Sequence, residues 1–254
     1  MAAEAPDKAA AARLAAWIAQ AERVVAFTGA GISTESGIPD FRSPGGIWSQ
    51  MQPITYQQFV ASEPARLEDW RRRLAMNDQL AAAAPNVGHR ALGQMVRSGK
   101  AVGIVTQNID GLHQRAGAPP DKVVELHGNA TRGRCLDCRQ AMALEAVRAA
   151  IRADGRCPRC ACGGLVKAAV ISFGEAMPEE AMARAAAWAE ECDLFLAIGS
   201  SLLVHPAASI PLIASQAGAR LAIVNREATP LDEAADLVVH SPIGPLFREI
   251  LPDY

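Results

Sequence analysis

Thr106-Gln107-Asn108-Ile109-Asp110-Gly111-Leu112-His113, followed by Glu125-Leu126-His127-Gly128, is the stretch on which the reading of this chain turns. It comes directly after Val102-Gly103-Ile104-Val105, an apolar run of strand type, so its amides, carboxylate and histidine stand where a buried strand ends. Ligands of open α/β sheets bind at such carboxyl ends. The amide pair can hydrogen-bond a sugar or an amide, and a histidine supplies a base near neutral pH.

Outward from that stretch the same rhythm repeats. Residues 23–28, 101–105, 193–198 and 220–224 are short apolar runs, with 236–239 a candidate fifth. Helical spacing fills the intervals at 8–22 (Leu14, Trp17, Ile18, Ala21), 88–98, 179–191 and 207–218. Buried strands alternating with helices predict an α/β fold, a Rossmann-like parallel sheet with helices on both faces. Two segments break the rhythm. Residues 40–85 carry Phe59, Leu67, Trp70 and Leu74 at spacings that suit small helices, and the cysteines of 135–162 form the second. The expected organisation is one domain over 1–254, with a core of about 8–39, 86–128 and 172–254. A helical insertion (about 40–85) and a zinc ribbon (about 129–171) would make a smaller lobe.

Half of the 254 residues are hydrophobic and a fifth are charged, a globular composition. The net charge of −2 argues against a nucleic-acid surface, and Arg71-Arg72-Arg73 reads as a solvated helix face. No segment nears 18 unbroken apolar residues, and Met1–Lys8 lacks the pattern of a secretory signal, so no membrane span and a cytoplasmic location are expected.

Five of the six cysteines fall within 28 residues. Cys135-Leu136-Asp137-Cys138 and Cys157-Pro158-Arg159-Cys160, 18 residues apart, match the spacing of a tetrahedral all-sulfur zinc site. Such a site leaves no position for water and is structural. Cys162 competes with Cys160 as the last ligand, and the knuckle spacing favours Cys157 with Cys160. Cys192 reads as a small buried hydrophobe.

Gly29-Ala30-Gly31 follows the first apolar run, where glycines allow a tight turn and a helix N-terminus offers N–H groups to phosphate. It is not the full dinucleotide fingerprint, and no acid stands on the expected second strand. The loop from Glu35 to Arg42 carries an acid, an aromatic and a base on Gly/Pro backbone and could close over a cofactor.

Taken in order, these motifs resemble the sirtuins, NAD-dependent protein lysine deacylases. The resemblance runs from about residue 23 to 251, through Gly29-Ala30-Gly31-Ile32-Ser33, Gly37-Ile38-Pro39-Asp40-Phe41-Arg42, Thr106 to His113, Leu126-His127-Gly128 and the cysteine pairs. It continues through Phe173-Gly174-Glu175, Gly199-Ser200-Ser201 and Val224-Asn225. It implies removal of acetyl groups from protein lysines, giving nicotinamide and O-acyl-ADP-ribose, with NAD consumed and Zn²⁺ structural. Gly29, Ala30, Gly31 and Ser33 would surround the NAD phosphates, and Asp40, Phe41 and Arg42 would lie on the covering loop. Gln107, Asn108 and Asp110 would hold ribose and nicotinamide. Gly199, Ser200 and Ser201 would take phosphate or ribose, and Asn225 the adenosine ribose. His127 would be the general base, with Asn108 and Asp110 beside it in catalysis. Val170, Ser172, Phe173 and Gly174 would pair with the acylated-lysine substrate as an added strand.

The chain departs from the family where Ala168-Ala169 replace the usual proline and where Cys160 to Gly164 is two residues longer. Sirtuins that prefer acidic acyl groups carry Tyr-x-x-Arg, whereas here Trp70 precedes Arg73, which reads as a surface arginine. Acetyl is therefore the expected acyl group, with acidic ones left open. The rival readings are protein ADP-ribosyl transfer from the same pocket and a non-catalytic NAD or ADP-ribose sensor.

Overall fold

The computed structural model describes residues 8–40, 46 and 51–251. Its strands are β1 (Val24–Thr28), β2 (Ala101–Thr106), β3 (Val123–Glu125), β4 (Gly128–Cys135), β5 (Ala141–Ala143), β6 (Val166–Val170), β7 (Leu194–Ile198), β8 (Arg220–Val224) and β9 (Leu237–Val239). Six form a parallel sheet in the order β3-β2-β1-β7-β8-β9. The side chains of β1 alternate between two cores: Val24 and Ala26 face one, Val25 and Phe27 the other. Helices Lys8–Gln20, Val87–Arg97 and Ile243–Ile250 cover the first core, and helices Glu179–Glu191 and Ile210–Gln216 cover the second. A sheet buried on both sides explains why its strands read as unbroken apolar runs.

The chain builds outward from β1 to β2 and β3, then returns to place β7 on the other side of β1. The point where the strand order reverses is therefore the gap between β1 and β7, where the connections leave in opposite directions and open a crevice.

A second sheet, β5-β4-β6, is antiparallel. Helices Glu63–Ala82 and Leu144–Asp154 pack on it around Phe59, Trp70, Val147 and Val166. Trp70 is fully buried and donates its indole N–H to the Val166 carbonyl at 3.0 Å, tying the inserted helix to β6. That commits the residue at the tyrosine position of the acidic-acyl pattern to the core of the small lobe.

Candidate functional site

The crevice at the carboxyl ends of the parallel strands opens into a cavity of about 420 Å³, within the range of small-molecule sites. Two turns form its floor, Gly29–Gly31 after β1 and Gly199–Ser201 after β7, packed back to back. Gly31 N–H donates to Gly199 O at 2.8 Å, and a Cβ on Gly31 would meet the Cα of Gly199 at 2.8 Å. Gly199 is left-handed (φ +62°), and its own Cβ would lie 2.4 Å from Ile32 N. The glycine of the first motif thus serves the approach of two turns to each other. Its amide is spent on Gly199 rather than offered to phosphate.

Ala30, Gly31, Asp40, Gln107, Asn108, His127, Gly199, Ser200, Ser201 and Asn225 all line this one cavity, as do Val170, Ser172, Phe173 and Gly174. Gly29, Ser33 and Asp110 do not. Ser33 Oγ donates to Asp110 Oδ2 (2.7 Å) and accepts from Asn108 Nδ2 (3.2 Å), all three side chains being buried. Asp110 also accepts the Leu112 N–H at 2.9 Å, and burial raises its pKa despite these bonds. It therefore stands behind the wall and acts on the cavity through Ser33 and Asn108. Phe41 and Arg42 lie outside the described residues.

His127 follows β3 with its Nδ1 3.0 Å from the Gln107 carbonyl. A carbonyl only accepts, so Nδ1 carries the proton and Nε2 is left as the basic nitrogen. Burial lowers the His127 pKa below the ordinary histidine value, while the Gln107 bond opposes part of that. The ring is thus neutral at pH 7, as a general base must be. The Gln107 side chain accepts from Ser200 Oγ at 2.7 Å, and its Nε2 is buried without a partner. An unpaired amide donor in a cavity wall is costly unless a ligand meets it, and this fits a polar cofactor.

His113 and His89 are buried beneath the floor. His113 Nε2 bonds Thr28 Oγ1 at 2.8 Å, and His89 Nδ1 accepts the Asn86 N–H. Burial holds His89 at about 4 and His113 well below the usual value, so both rings are neutral at pH 7, and unlike His127 neither lines the cavity.

In the small lobe, the sulfurs of Cys135, Cys138, Cys160 and Cys162 lie within 4.8 Å of one another. The Cys135–Cys162 and Cys138–Cys160 separations are 3.6 and 3.5 Å. Four thiolates about 2.3 Å from one zinc ion sit about 3.8 Å apart, so the donors fit a structural Zn²⁺ site. This corrects the ligand set read from the knuckle spacing: Cys157 is outside and both Cys160 and Cys162 are inside. A tight turn is the reason. Cys160 N–H bonds Gly164 O and Gly163 N–H bonds Cys160 O, which turns both sulfurs to one side. Gly164 lies so close to Cys135 that a Cβ would meet Sγ at 2.6 Å. Cys157, before Pro158, packs instead against the apolar cluster of Phe59 and Trp70.

Several charged residues at the site stand differently from their sequence reading or escaped it. Arg72 and Arg73 line the cavity, Arg73 paired with Asp69 at 3.4 Å, so only Arg71 of the arginine run is a solvated face. This corrects the reading of Arg73 as a surface residue. Glu35 caps the helix at Ile243 by accepting Gly244 N–H at 2.7 Å, so it is not free to close over a cofactor. Lys167 and Glu175 form a buried ion pair at 2.9 Å.

Fold and site together define an α/β protein with a nucleotide-type crevice at its strand-order reversal, a neutral histidine in that crevice and a four-cysteine metal site in a smaller lobe. The Sir2 family model matches residues 29–206. The chain is 55% identical over 233 residues to NAD-dependent protein deacetylase 1 of Bradyrhizobium diazoefficiens, covering 91% of each. It is 42% identical over 243 residues to an NAD-dependent protein deacylase of Ralstonia nicotianae, covering 94% of each. A solved Sir2–p53 peptide–NAD⁺ complex matches with a TM-score of 0.85 at 34% identity, over 95% of this chain and 97% of that one. Sir2Tm bound to a propionylated peptide matches with a TM-score of 0.84 at 33% identity, over the same shares. The chain belongs to the Sir2 family.

Proposed function

We propose that this protein is an NAD-dependent protein lysine deacetylase, open to other acyl groups, that releases nicotinamide and O-acyl-ADP-ribose. The observation that carries the reading is the His127 tautomer: with Nδ1–H given to Gln107 O, a cavity-lining imidazole keeps Nε2 as a base. NAD, when bound, would supply a ribose carbon to which the acyl oxygen of the modified lysine bonds as the bond to nicotinamide breaks. His127 Nε2 would take the proton of a ribose hydroxyl so that this oxygen bonds the acyl carbon; the lysine nitrogen would then leave with a proton, and one water would complete O-acyl-ADP-ribose. Asn108, held through Nδ2 by Gly29 O (3.0 Å) and Ser33, presents a fixed amide beside the reacting centre, and Asp110 anchors it from behind. Gln107 Nε2 offers its unpaired N–H to the cofactor. Gly199, Ser200, Ser201, Ala30 and Asn225 receive phosphate and ribose on a floor that Gly31 shapes by its close approach to Gly199, with Asp40 at the covering loop.

The peptide meets Val170, Ser172, Phe173 and Gly174, where the half-exposed Phe173 ring sits at the cavity rim. Much of the main chain of this segment is already engaged. Ile171 N–H bonds His127 O, Phe173 O accepts from Tyr56 N–H, and Gly174 O accepts from Gln57 Nε2. Substrate pairing here is accordingly short. Cys135, Cys138, Cys160 and Cys162 hold the zinc, which keeps the small lobe folded beneath the peptide. The domain reading follows suit: a core of about 8–39, 86–128 and 172–254, a helical insertion of about 40–85 and a zinc ribbon of about 129–171. Zinc-held thiolates and two further unbridged cysteines, Cys157 and Cys192, suit a reducing cytoplasm, and the net charge of −2 speaks against a nucleic-acid partner. No helix among the described residues is long and apolar enough to cross a membrane.

The test is stoichiometry. Incubation with an acetyl-lysine peptide and NAD should release one nicotinamide for each acetyl lost. Nicotinamide release without loss of acetyl would transfer the site to ADP-ribosylation.

A further inference from the structure

Lys167 sits on β6 only 1% exposed, and it does not line the cavity. A buried ammonium needs a reason, because leaving water is expensive unless the charge is paired. Its Nζ pairs with Glu175 Oε2 at 2.9 Å and donates to the carbonyls of Val170 and, at 3.4 Å, Ala168. Glu175 Oε2 also accepts the Ser172 N–H at 2.9 Å, and Glu175 N–H returns to Ser172 O at 3.0 Å. The segment 170–175 is thereby closed on itself over one buried cation. Its inner edge joins the site where Ile171 N–H bonds His127 O at 2.8 Å. The other charges near Lys167 are Arg73 and Asp69, which already pair with each other.

We propose that Lys167 is a positioning residue for the acylated peptide: through Glu175 and Val170 O it holds the 170–175 segment in the shape that receives substrate, and it does not serve NAD. The inference rests on the deacylase reading. Removing the ammonium leaves the Glu175 carboxylate unpaired beside Val170 O, so the segment opens and Ser172 and Phe173 leave the rim. Lys167→Met keeps the unbranched apolar stem as far as Cε and removes the charged donor atom. It should raise the peptide KM about tenfold or more while the NAD KM and the kcat at saturating peptide stay within about twofold. Lys167→Arg keeps both charge and donors and should restore the peptide KM.

Glu175→Gln is the second variant if Lys167→Met does not fold. It keeps acceptors for Lys167 and Ser172, should raise the peptide KM only a few-fold, and should blunt the effect of Lys167→Met when the two are combined. Equal rises in both KM values, a fall in kcat alone, no change, or failure of arginine to rescue would each overturn the proposal. Calorimetry with the acetyl-lysine peptide reads binding apart from turnover. A wild type that binds peptide without turning it over removes the deacylase reading alone, with weakened binding by Lys167→Met still required.

Discussion

Replacing Gly31 by alanine places a Cβ 2.8 Å from both Cα and O of Gly199 and 3.0 Å from its carbonyl carbon. These are backbone atoms of a left-handed residue wedged against Ile32 N, so no side chain can swing aside to make room. Overpacking of this kind costs about 1–3 kcal/mol. The two turns must also separate by a few tenths of an ångström, which weakens the 2.8 Å bond from Gly31 N–H to Gly199 O by about another 1 kcal/mol. With roughly 2–4 °C of Tm per kcal/mol for a chain of this size, a total near 3 kcal/mol lowers Tm by about 6–12 °C. Because the same turns floor the cavity, the NAD KM should rise about tenfold or more. Gly37→Ala is the control. That glycine has φ +83° and open space where a Cβ would go, so only the left-handed backbone is penalised, at roughly 1–2 kcal/mol, and the NAD KM should rise far less than in Gly31→Ala. Calorimetric Tm and NAD titration of both variants decide the matter. A Gly31→Ala protein with wild-type Tm and NAD KM would refute the back-to-back turn as the basis of the cofactor floor.

Cys162→Ser and Cys160→Ser should each lose stoichiometric zinc by elemental analysis and melt the small lobe, whereas Cys157→Ser should retain one zinc per chain. Zinc retention by Cys162→Ser would return the fourth position to Cys157. The acid limb of kcat/KM should have its midpoint below the ordinary histidine value: the base must be neutral, burial lowers the His127 pKa, and activity is lost only as pH falls through that lowered value. A limb at or above the ordinary value would contradict the buried Nδ1–H arrangement. Stability should fall between about pH 6.5 and 4, because the unfolded chain protonates His89 first while the folded one holds it at about 4. That shift is worth about 3 kcal/mol for His89 alone, and His113 adds in the same sense. Asp110, raised by burial, works in the opposite sense above the ordinary carboxylate range. Equal Tm values at pH 7 and pH 4.5 would contradict the buried neutral pair.

The parallel sheet was legible because β1, β7 and β8 are buried on both faces and so spell continuous apolar runs, each ending in the polar turn that lines the site. By contrast β4 was not. Its Gly128-Asn129-Ala130-Thr131-Arg132-Gly133-Arg134-Cys135 is glycine-bearing and polar, and its burial switches irregularly along the strand. Spacing identified a four-sulfur site but misassigned a ligand, since the Cys160–Gly164 turn is a matter of backbone hydrogen bonds that the knuckle rule ignores. Position in a motif likewise could not say which way a side chain faces. Asn108 and Asp110 are two residues apart, yet one lines the cavity and the other stands behind it. The Lys167–Glu175 pair was hidden because a lysine inside an apolar strand has no local partner.

The most direct test follows the acyl group. Mass spectrometry of an acetyl-lysine peptide incubated with protein and NAD, beside the His127→Ala variant, identifies where the acetyl goes. The account predicts free lysine and O-acetyl-ADP-ribose with the wild type, and a rate lower by about 10²–10⁴ in a variant that still binds NAD. Deacetylation that proceeds equally well without His127, or that yields free acetate with no acetylated ADP-ribose, would contradict it.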